Sequence, residues 1–333
     1  MRKTIIAVEN STWNNIGDAF YQESLTAALR LAHPDACVVN MDGPIRRAFR
    51  PGRLGQEPFD ARHFTTADHY IFSGPIVGRN FMSVYAPRIK EILAQEKKYS
   101  LISVHADGDD LDRIKSFLQE NPPQAIYTRD PLSLRRLAGI VRNEISGPCF
   151  AFFVKKLDGI PDISMPNPYL AISVYTSREP QITTGTTNAS IEDVSVQWTD
   201  DPRSRKWKFL RHLEWHSALR PQQPAPFDVV RPVQSHSRLS HVTFARPNAY
   251  ISYSPLCYLG VIKGSAAVVS DRVHAGVTAL SFGRPIHVRR LDERYDIFTD
   301  IPLDTVGNFN TLDGGFVDEK YEESIAWLRE VEL

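Results

Sequence analysis

Over its first 150 residues the chain alternates short apolar runs with segments of helical period, and few folds can bury such a pattern. Thr4–Val8 reads as a compact strand, followed by a polar loop from Glu9 to Asp18 and a helix over about Ala19–Ala32. Cys37–Met41 and Asp68–Ser73 supply two more strands. Tyr85–Lys97 then reads as a helix, Ser100–His105 as a strand, Asp109–Gln119 as a helix, Ala125–Thr128 as a strand and Leu132–Leu137 as a helix. Strands and helices taking turns in this way pack as a doubly wound, mainly parallel α/β sheet.

At 333 residues the chain is longer than a single core usually grows, so two such domains are expected. Pro161, Pro166 and Pro168 mark the hinge, and Tyr169–Tyr175 starts a new strand. The expected units are an N-terminal Rossmann-like domain over 1–157, a C-terminal one over 168–317, and a tail over 318–333. The tail helix, Asp318–Glu330, fits two placements: packed back on the first domain, or capping its own.

Lys plus Arg (39) equal Asp plus Glu (39), so no bulk field recruits nucleic acid or an anionic membrane, and any anion affinity must be local. Cys37, Cys149 and Cys257 are odd in number and far apart, which argues against a disulfide framework and for a reducing compartment. The basic N-terminus leads into an apolar run that Glu9 and Asn10 cut short of a signal-peptide core. No window approaches the about 18 apolar residues of a membrane span. A cytoplasmic protein is expected, in which Asn188-Ala-Ser190 is an unused sequon.

The chemistry concentrates at strand-to-helix junctions. In Ala266–Ile286 a buried strand runs into Ser270 and Asp271, both favoured helix caps, which puts Arg272 and His274 on the first helical turn. Unpaired amides, the positive end of a helix and a guanidinium together suit a phosphate or carboxylate. Arg129-Asp-Pro-Leu-Ser133 is a second strand–Arg–helix junction, with Asp130 placed to cap and Pro131 in the first turn. The loop holding Asn15, Gly17 and Asp18 follows the first strand, where open α/β sheets bind ligands; Asp18 alone also fits a plain helix cap.

Other candidates carry less. Gly74-Pro-Ile-Val-Gly78 lacks the Gly-x-Gly-x-x-Gly pattern of a dinucleotide site, and Asp107–Asp112 has the wrong register for calcium and reads as helix capping. Arg46, Arg47, Arg50, Arg53 and Arg62 form a basic surface loop. His212, His236 and His241 do not fall at metal-ligand spacing, so no metal is expected. Residues 176–250 are the least legible, with a helix expected over about Pro202–Leu219.

Three of these segments together resemble the polysaccharide pyruvyl transferase family: Asn15-x-Gly17-Asp18, Arg129-Asp-Pro-Leu-Ser133, and Ser270-Asp-Arg-Val-His-Ala275 followed by Gly283-x-Pro285. Val273 stands where the family usually has leucine, and Ser73-Gly74-Pro75 where members often carry a glycine pair. The resemblance implies two Rossmann-like domains facing a cleft, as in GT-B glycosyltransferases, and transfer of the pyruvyl group of phosphoenolpyruvate to a sugar hydroxyl with release of phosphate. It places Arg272 and His274 in the donor site.

Phosphoenolpyruvate carries a phosphate and a carboxylate, for which arginine's fork is better suited than lysine. Arg129, Arg272, Ser270 and Arg178 are the expected donor-binding residues, although an ordinary loop charge fits Arg178 as well. His274 and Arg272 are the expected catalytic pair, with His274 delivering a proton to the donor. Asn15, Gly17 and Asp18 form the acceptor-side loop. The expected partners are phosphoenolpyruvate as co-substrate, with no cofactor, and a saccharide acceptor, free or linked to lipid or nucleotide. The alternatives are a GT-B glycosyltransferase using a nucleotide sugar and an inactive anion- or sugar-binding homologue.

Overall fold

The computed structural model describes residues 3–10, 15–43, 66–108, 110–174, 177, 179–185, 190–198, 226–234 and 248–332. The N-terminal half contains β1 (Ile5–Asn10), α1 (Ile16–Ala32), β2 (Cys37–Asp42), β3 (His69–Val77), α2 (Ala86–Ala94), β4 (Lys98–Ala106), α3 (Leu111–Glu120), β5 (Ile126–Thr128), α4 (Pro131–Leu137) and β6 (Glu144–Ser146). Its six strands pair in parallel in the order β2-β1-β3-β4-β5-β6. The chain leaves β1 in one direction for β2 and in the other for β3, so the switch point lies between β1 and β3. That is where sheets of this order bind ligands.

A 3-10 turn, Phe150–Lys156, carries the chain out of this half, and residues 157–168 are neither helix nor strand. The second half contains β7 (Tyr169–Ser173), the antiparallel pair β8 (Gln181–Thr184) and β9 (Val194–Gln197), β10 (Asp228–Pro232), β11 (Ala249–Tyr250), α5 (Pro255–Gly264), β12 (Ala267–Ser270), α6 (Val273–Ser281), β13 (Ile286–Val288), β14 (Leu303–Val306), β15 (Phe309–Leu312) and α7 (Gly314–Glu330). Its main sheet runs β11-β10-β7-β12-β13-β15-β14, parallel from β11 to β13 and closed by the antiparallel β14–β15 hairpin. Here the order reverses between β7 and β12, whose last residues, Ser173 and Ser270, are register partners.

The carboxyl ends of the two sheets face each other. Ile16 N–H, at the start of α1, donates to Gln234 O just beyond β10 at 2.8 Å. One buried apolar cluster runs from β1 and α1 through Phe150, Phe152, Phe153 and Val154 to α6 and α7. Each of those aromatic side chains contributes roughly 1.5–3 kcal/mol by burial, enough to tie the linker to both halves. The last helix packs on the first half: Tyr127 and Ser324 hydroxyls meet at 3.0 Å, His33 Nε2 lies 2.9 Å from Leu328 O, and the Tyr127 and Trp327 rings meet edge to face.

Several boundaries differ from the sequence reading. Helix α1 begins at Ile16, not Ala19, with Asn15 at its N-cap and Asp18 inside its first turn. A cap role for Asp18 is thereby excluded. Gly17 suits that turn because an added Cβ would crowd Gln234 Oε1 at 3.2 Å and lie 3.5 Å from His274 Cβ. Helix α6 begins at Val273, so Arg272 is its N-cap and neither Ser270 nor Asp271 fills that position. The expected Tyr85–Lys97 helix is shorter, α2 ending at Ala94, and a π-helical turn, Phe81–Tyr85, leads into it. Asp110 occupies the N-cap of α3 but makes no side-chain cap bond. The helix expected at 202–219, the basic loop residues 46–62, His212, His236, His241 and Arg178 lie outside the described residues.

Candidate active site

The turn between β12 and α6 is set by one hydroxyl. Ser270 Oγ donates to Ser173 O at 2.6 Å and accepts from Arg272 N–H at 2.8 Å, which folds the chain back so that Arg272 leads into the helix. Asp271 is turned the other way, its Oδ2 accepting from Ser177 N–H at 2.6 Å. Arg272 makes no side-chain cap bond to α6, so the positive end of the helix dipole is not offset by its own cap residue. Ser270 thus shapes the loop with the one proton it has.

His274, on the first turn of α6, meets the other half directly. Its Nδ1 is 3.9 Å from Asp18 Oδ1, and its ring packs on Tyr21 with centroids 5.2 Å apart. Tyr21 is held in turn by Gly74, whose positive φ of 89° and missing side chain leave room for the tyrosine hydroxyl. Asn15 Nδ2 donates to Asp18 Oδ1 at 3.1 Å. Burial, then the guanidiniums of Arg129, Arg294 and Arg272, push the His274 pKa down to about 3, against a smaller upward pull from the Gly17 backbone. The imidazole is therefore neutral at neutral pH, and three cations act on it from three separate segments.

Arg129 belongs to the second junction. It is 3% exposed, and its backbone N–H donates to Val104 O at 2.9 Å. The turn that carries it is braced by Asp130, which accepts from Ser133 N–H at 2.7 Å and Ser133 Oγ at 2.7 Å and pairs with His105 Nδ1 at 2.8 Å. Burial alone would raise the Asp130 pKa, but the bonds from His105 and Ser133 outweigh it and hold the carboxyl below its usual range. Ser133 and Asp130 both address the same histidine nitrogen, so this is not a nucleophilic triad, in which serine and carboxylate take opposite ring nitrogens.

Five buried polar atoms in this region have no hydrogen-bond partner: Asn15 Oδ1, Gln234 Nε2, His274 Nε2, Arg129 Nε and, in the brace, His105 Nε2. A buried polar atom left unpaired costs roughly 1–3 kcal/mol. Asn15, Gly17, Asp18, Arg129, Arg272 and His274 are all brought to this one cleft. Among the described residues no three His, Cys, Asp or Glu side chains group as a metal site. Cys37, Cys149 and Cys257 are all unpaired.

The profile of the polysaccharide pyruvyl transferase family matches residues 15–289, a span that begins at Asn15 and holds all three motifs. The chain belongs to that family. No curated protein sequence matches it. Among solved structures, the UDP complex of MnaA from S. aureus aligns over 99% of this chain and 91% of that one, with 10% identity and a TM-score of 0.53. A protein from Listeria monocytogenes assigned as a UDP-N-acetylglucosamine 2-epimerase aligns over 99% and 92%, with 11% identity and a TM-score of 0.52. At such identity these likenesses concern the fold, which is GT-B-like: two Rossmann-like halves about a cleft.

Sequence reasoning did not single out Gln234, Tyr21, His105 or Arg294. Gln234 follows a short strand in the least legible region. Arg294 sits in a 3-10 turn, Glu293–Phe298, where no periodicity flags it, and is held by Asp292 through bonds of 3.0 and 2.7 Å. Spacing from the motifs would not have found either one. Among the described residues no helix is long and apolar enough to cross a membrane.

Proposed function

We propose that this cleft transfers the pyruvyl group of phosphoenolpyruvate to a saccharide hydroxyl and releases inorganic phosphate. One observation carries the reading: a neutral histidine at an uncapped helix start, within electrostatic range of three arginines from three segments. A ligand with both a phosphate and a carboxylate suits that arrangement better than a singly charged one. Arg129, Arg272 and Arg294 hold the two anionic groups, and the α6 amides add to the phosphate site.

The arginines that attract the donor also keep His274 uncharged before it arrives. Once the donor's negative charges offset them, the imidazole gains a proton, with Asp18 at 3.9 Å to favour the charged form. The acceptor oxygen then bonds to C2 of the donor while His274 gives its proton to C3, which yields a tetrahedral intermediate. Breakage of the bond from C2 to the phosphate oxygen expels inorganic phosphate, which carries away the proton of the acceptor hydroxyl. The oxocarbenium left at C2 is quenched either by a second acceptor hydroxyl, closing a ketal, or by loss of a C3 proton, giving an enolpyruvyl ether. Ser270 acts by fixing the turn.

Running the reaction in heavy water tests the scheme. The proton added to C3 comes from solvent by way of His274, so deuterium is expected at C3 of the transferred group. A deuterium-free product with phosphate released would overturn the addition step. Release of a nucleoside diphosphate from a nucleotide sugar, with no reaction of phosphoenolpyruvate, would assign the cleft to glycosyl transfer instead.

A further inference from the structure

A cavity of about 300 Å³ lies beside the arginine cluster, between the carboxyl ends of β5 and β6, the segment after the Glu293–Phe298 turn, and α7. Its size is at the small end of ligand pockets, which run from roughly 300 to 1,000 Å³. His274, Arg272 and Asp18 are not on its wall, but Arg129 is. Arg129 is also the residue whose buried Nε has no partner, so one side chain serves both the cavity and the cluster around His274.

The wall is not built for an anion. Against Arg129 and Lys320 stand the carboxylates of Asp300 and Glu323, while that of Asp130 is already engaged by His105 and Ser133. Lys320 Nζ donates to both Glu323 oxygens, at 2.9 and 2.7 Å, which leaves a fixed pair offering both donors and acceptors. Phe316 and three isoleucines, Ile145, Ile297 and Ile301, contribute apolar surface. A neutral ring with hydroxyls at its edge and C–H groups on its faces matches such a lining, whereas a phosphate would meet two carboxylates.

We propose that this cavity seats the saccharide acceptor as a neutral sugar ring, with one hydroxyl directed along Arg129 toward the donor; this rests on the transfer reaction proposed above. The cavity gives the two substrates separate chemistry, cationic for one and balanced for the other, with Arg129 as their shared boundary.

The test uses the full chain and three probes: the methyl β-glycosides of galactose, glucose and N-acetylglucosamine. Contact is followed by saturation-transfer NMR in the presence of phosphoenolpyruvate. Thr299→Trp fills the cavity mouth from an exposed position, and Glu323→Gln keeps shape while weakening hydroxyl recognition. At least one glycoside is expected to bind the wild type, with affinity falling about tenfold or more in Thr299→Trp and by a smaller factor in Glu323→Gln, while calorimetry shows unchanged affinity for phosphoenolpyruvate. No glycoside contact in the wild type, or contact that both variants keep, overturns the assignment. A loss of phosphoenolpyruvate affinity in Thr299→Trp also overturns it, since the cavity would then belong to the donor. If the glycosides behave as expected and phosphoenolpyruvate does not bind at all, the cavity assignment stands and the transfer reaction falls.

Discussion

The junctions Thr128–Pro131 and Ser270–Val273 have the same local plan, a buried strand, an arginine and a helix, yet they finish it in opposite ways. At the first, Asp130 caps α4, accepting from Ser133 N–H at 2.7 Å, so the helix start is already satisfied by a carboxylate of the protein itself. At the second, Arg272 holds the cap position, the serine tethers the turn from behind, and the cap residue makes no side-chain bond to the first amides of α6. One junction fixes an arginine rigidly; the other leaves a helix start for something else to complete. A site for a doubly anionic donor needs both, since the braced turn supplies a preorganised fork and the uncapped turn supplies amides and a dipole.

The largest expected effect tests the uncapped side. His274→Gln keeps a hydrogen-bonding side chain but removes the acid, so kcat should fall about a hundredfold to ten-thousandfold with donor affinity retained. Proton uptake on donor binding, measured by calorimetry in buffers of different ionisation enthalpy, should vanish with it. A loss under about tenfold would move the proton donor elsewhere in the cleft.

Exchanging each arginine for lysine comes next. Charge-assisted bonds are worth roughly 1.5–3 kcal/mol, so Arg272→Lys and Arg129→Lys should each weaken phosphoenolpyruvate binding about tenfold to a hundredfold, without loss of fold. Equal losses would show that the two junctions share one ligand. If calorimetry finds Arg129→Lys unchanged, the braced junction serves only the architecture.

Removing the brace should cost stability. Asp130→Ala deletes a cap and strands His105 and Ser133, for an expected loss of about 1–2 kcal/mol by denaturant unfolding. The Asp130 pKa is depressed in the folded protein, so its stabilisation is present above the unfolded value of about 3.9 and is lost as pH falls through the lower folded value. The wild type and Asp130→Ala should therefore converge in strong acid. A constant difference down to pH 2 would show that the carboxylate charge is not what stabilises this turn.

The smallest stability change belongs to Asp18→Asn. Asp18 is inside the first turn of α1 and its carboxylate faces His274, so the variant should unfold within about 0.5 kcal/mol of the wild type. Its turnover should fall all the same, because the charge that favours protonated His274 is gone. Full activity would reduce Asp18 to a partner of Asn15.

The junctions were legible because strand, Arg, Asp, Pro and Ser follow one another within a few residues, and local chemistry fixes what such a stretch does. The capping residue at the second junction was misplaced because Ser270 and Asp271 both have the right side chains. Their use was decided by partners nearly a hundred residues away, Ser173 and Ser177. Gln234, Arg294 and the cavity against α7 left no local trace, since each depends on where distant segments land.

By itself, then, the sequence determined the alternation of strands and helices, the parallel sheets that follow from it, and the residue types at their carboxyl ends; hydrophobic period and turn chemistry are local, and a chain carries them wherever it folds. Only the tertiary structure decided that both sheets reverse their order beside those motifs, that His274 meets Asp18 across the cleft, and that three guanidiniums gather around a buried imidazole and set its charge. Electrostatic character of that kind depends on distance and burial, and neither exists until the two halves face each other.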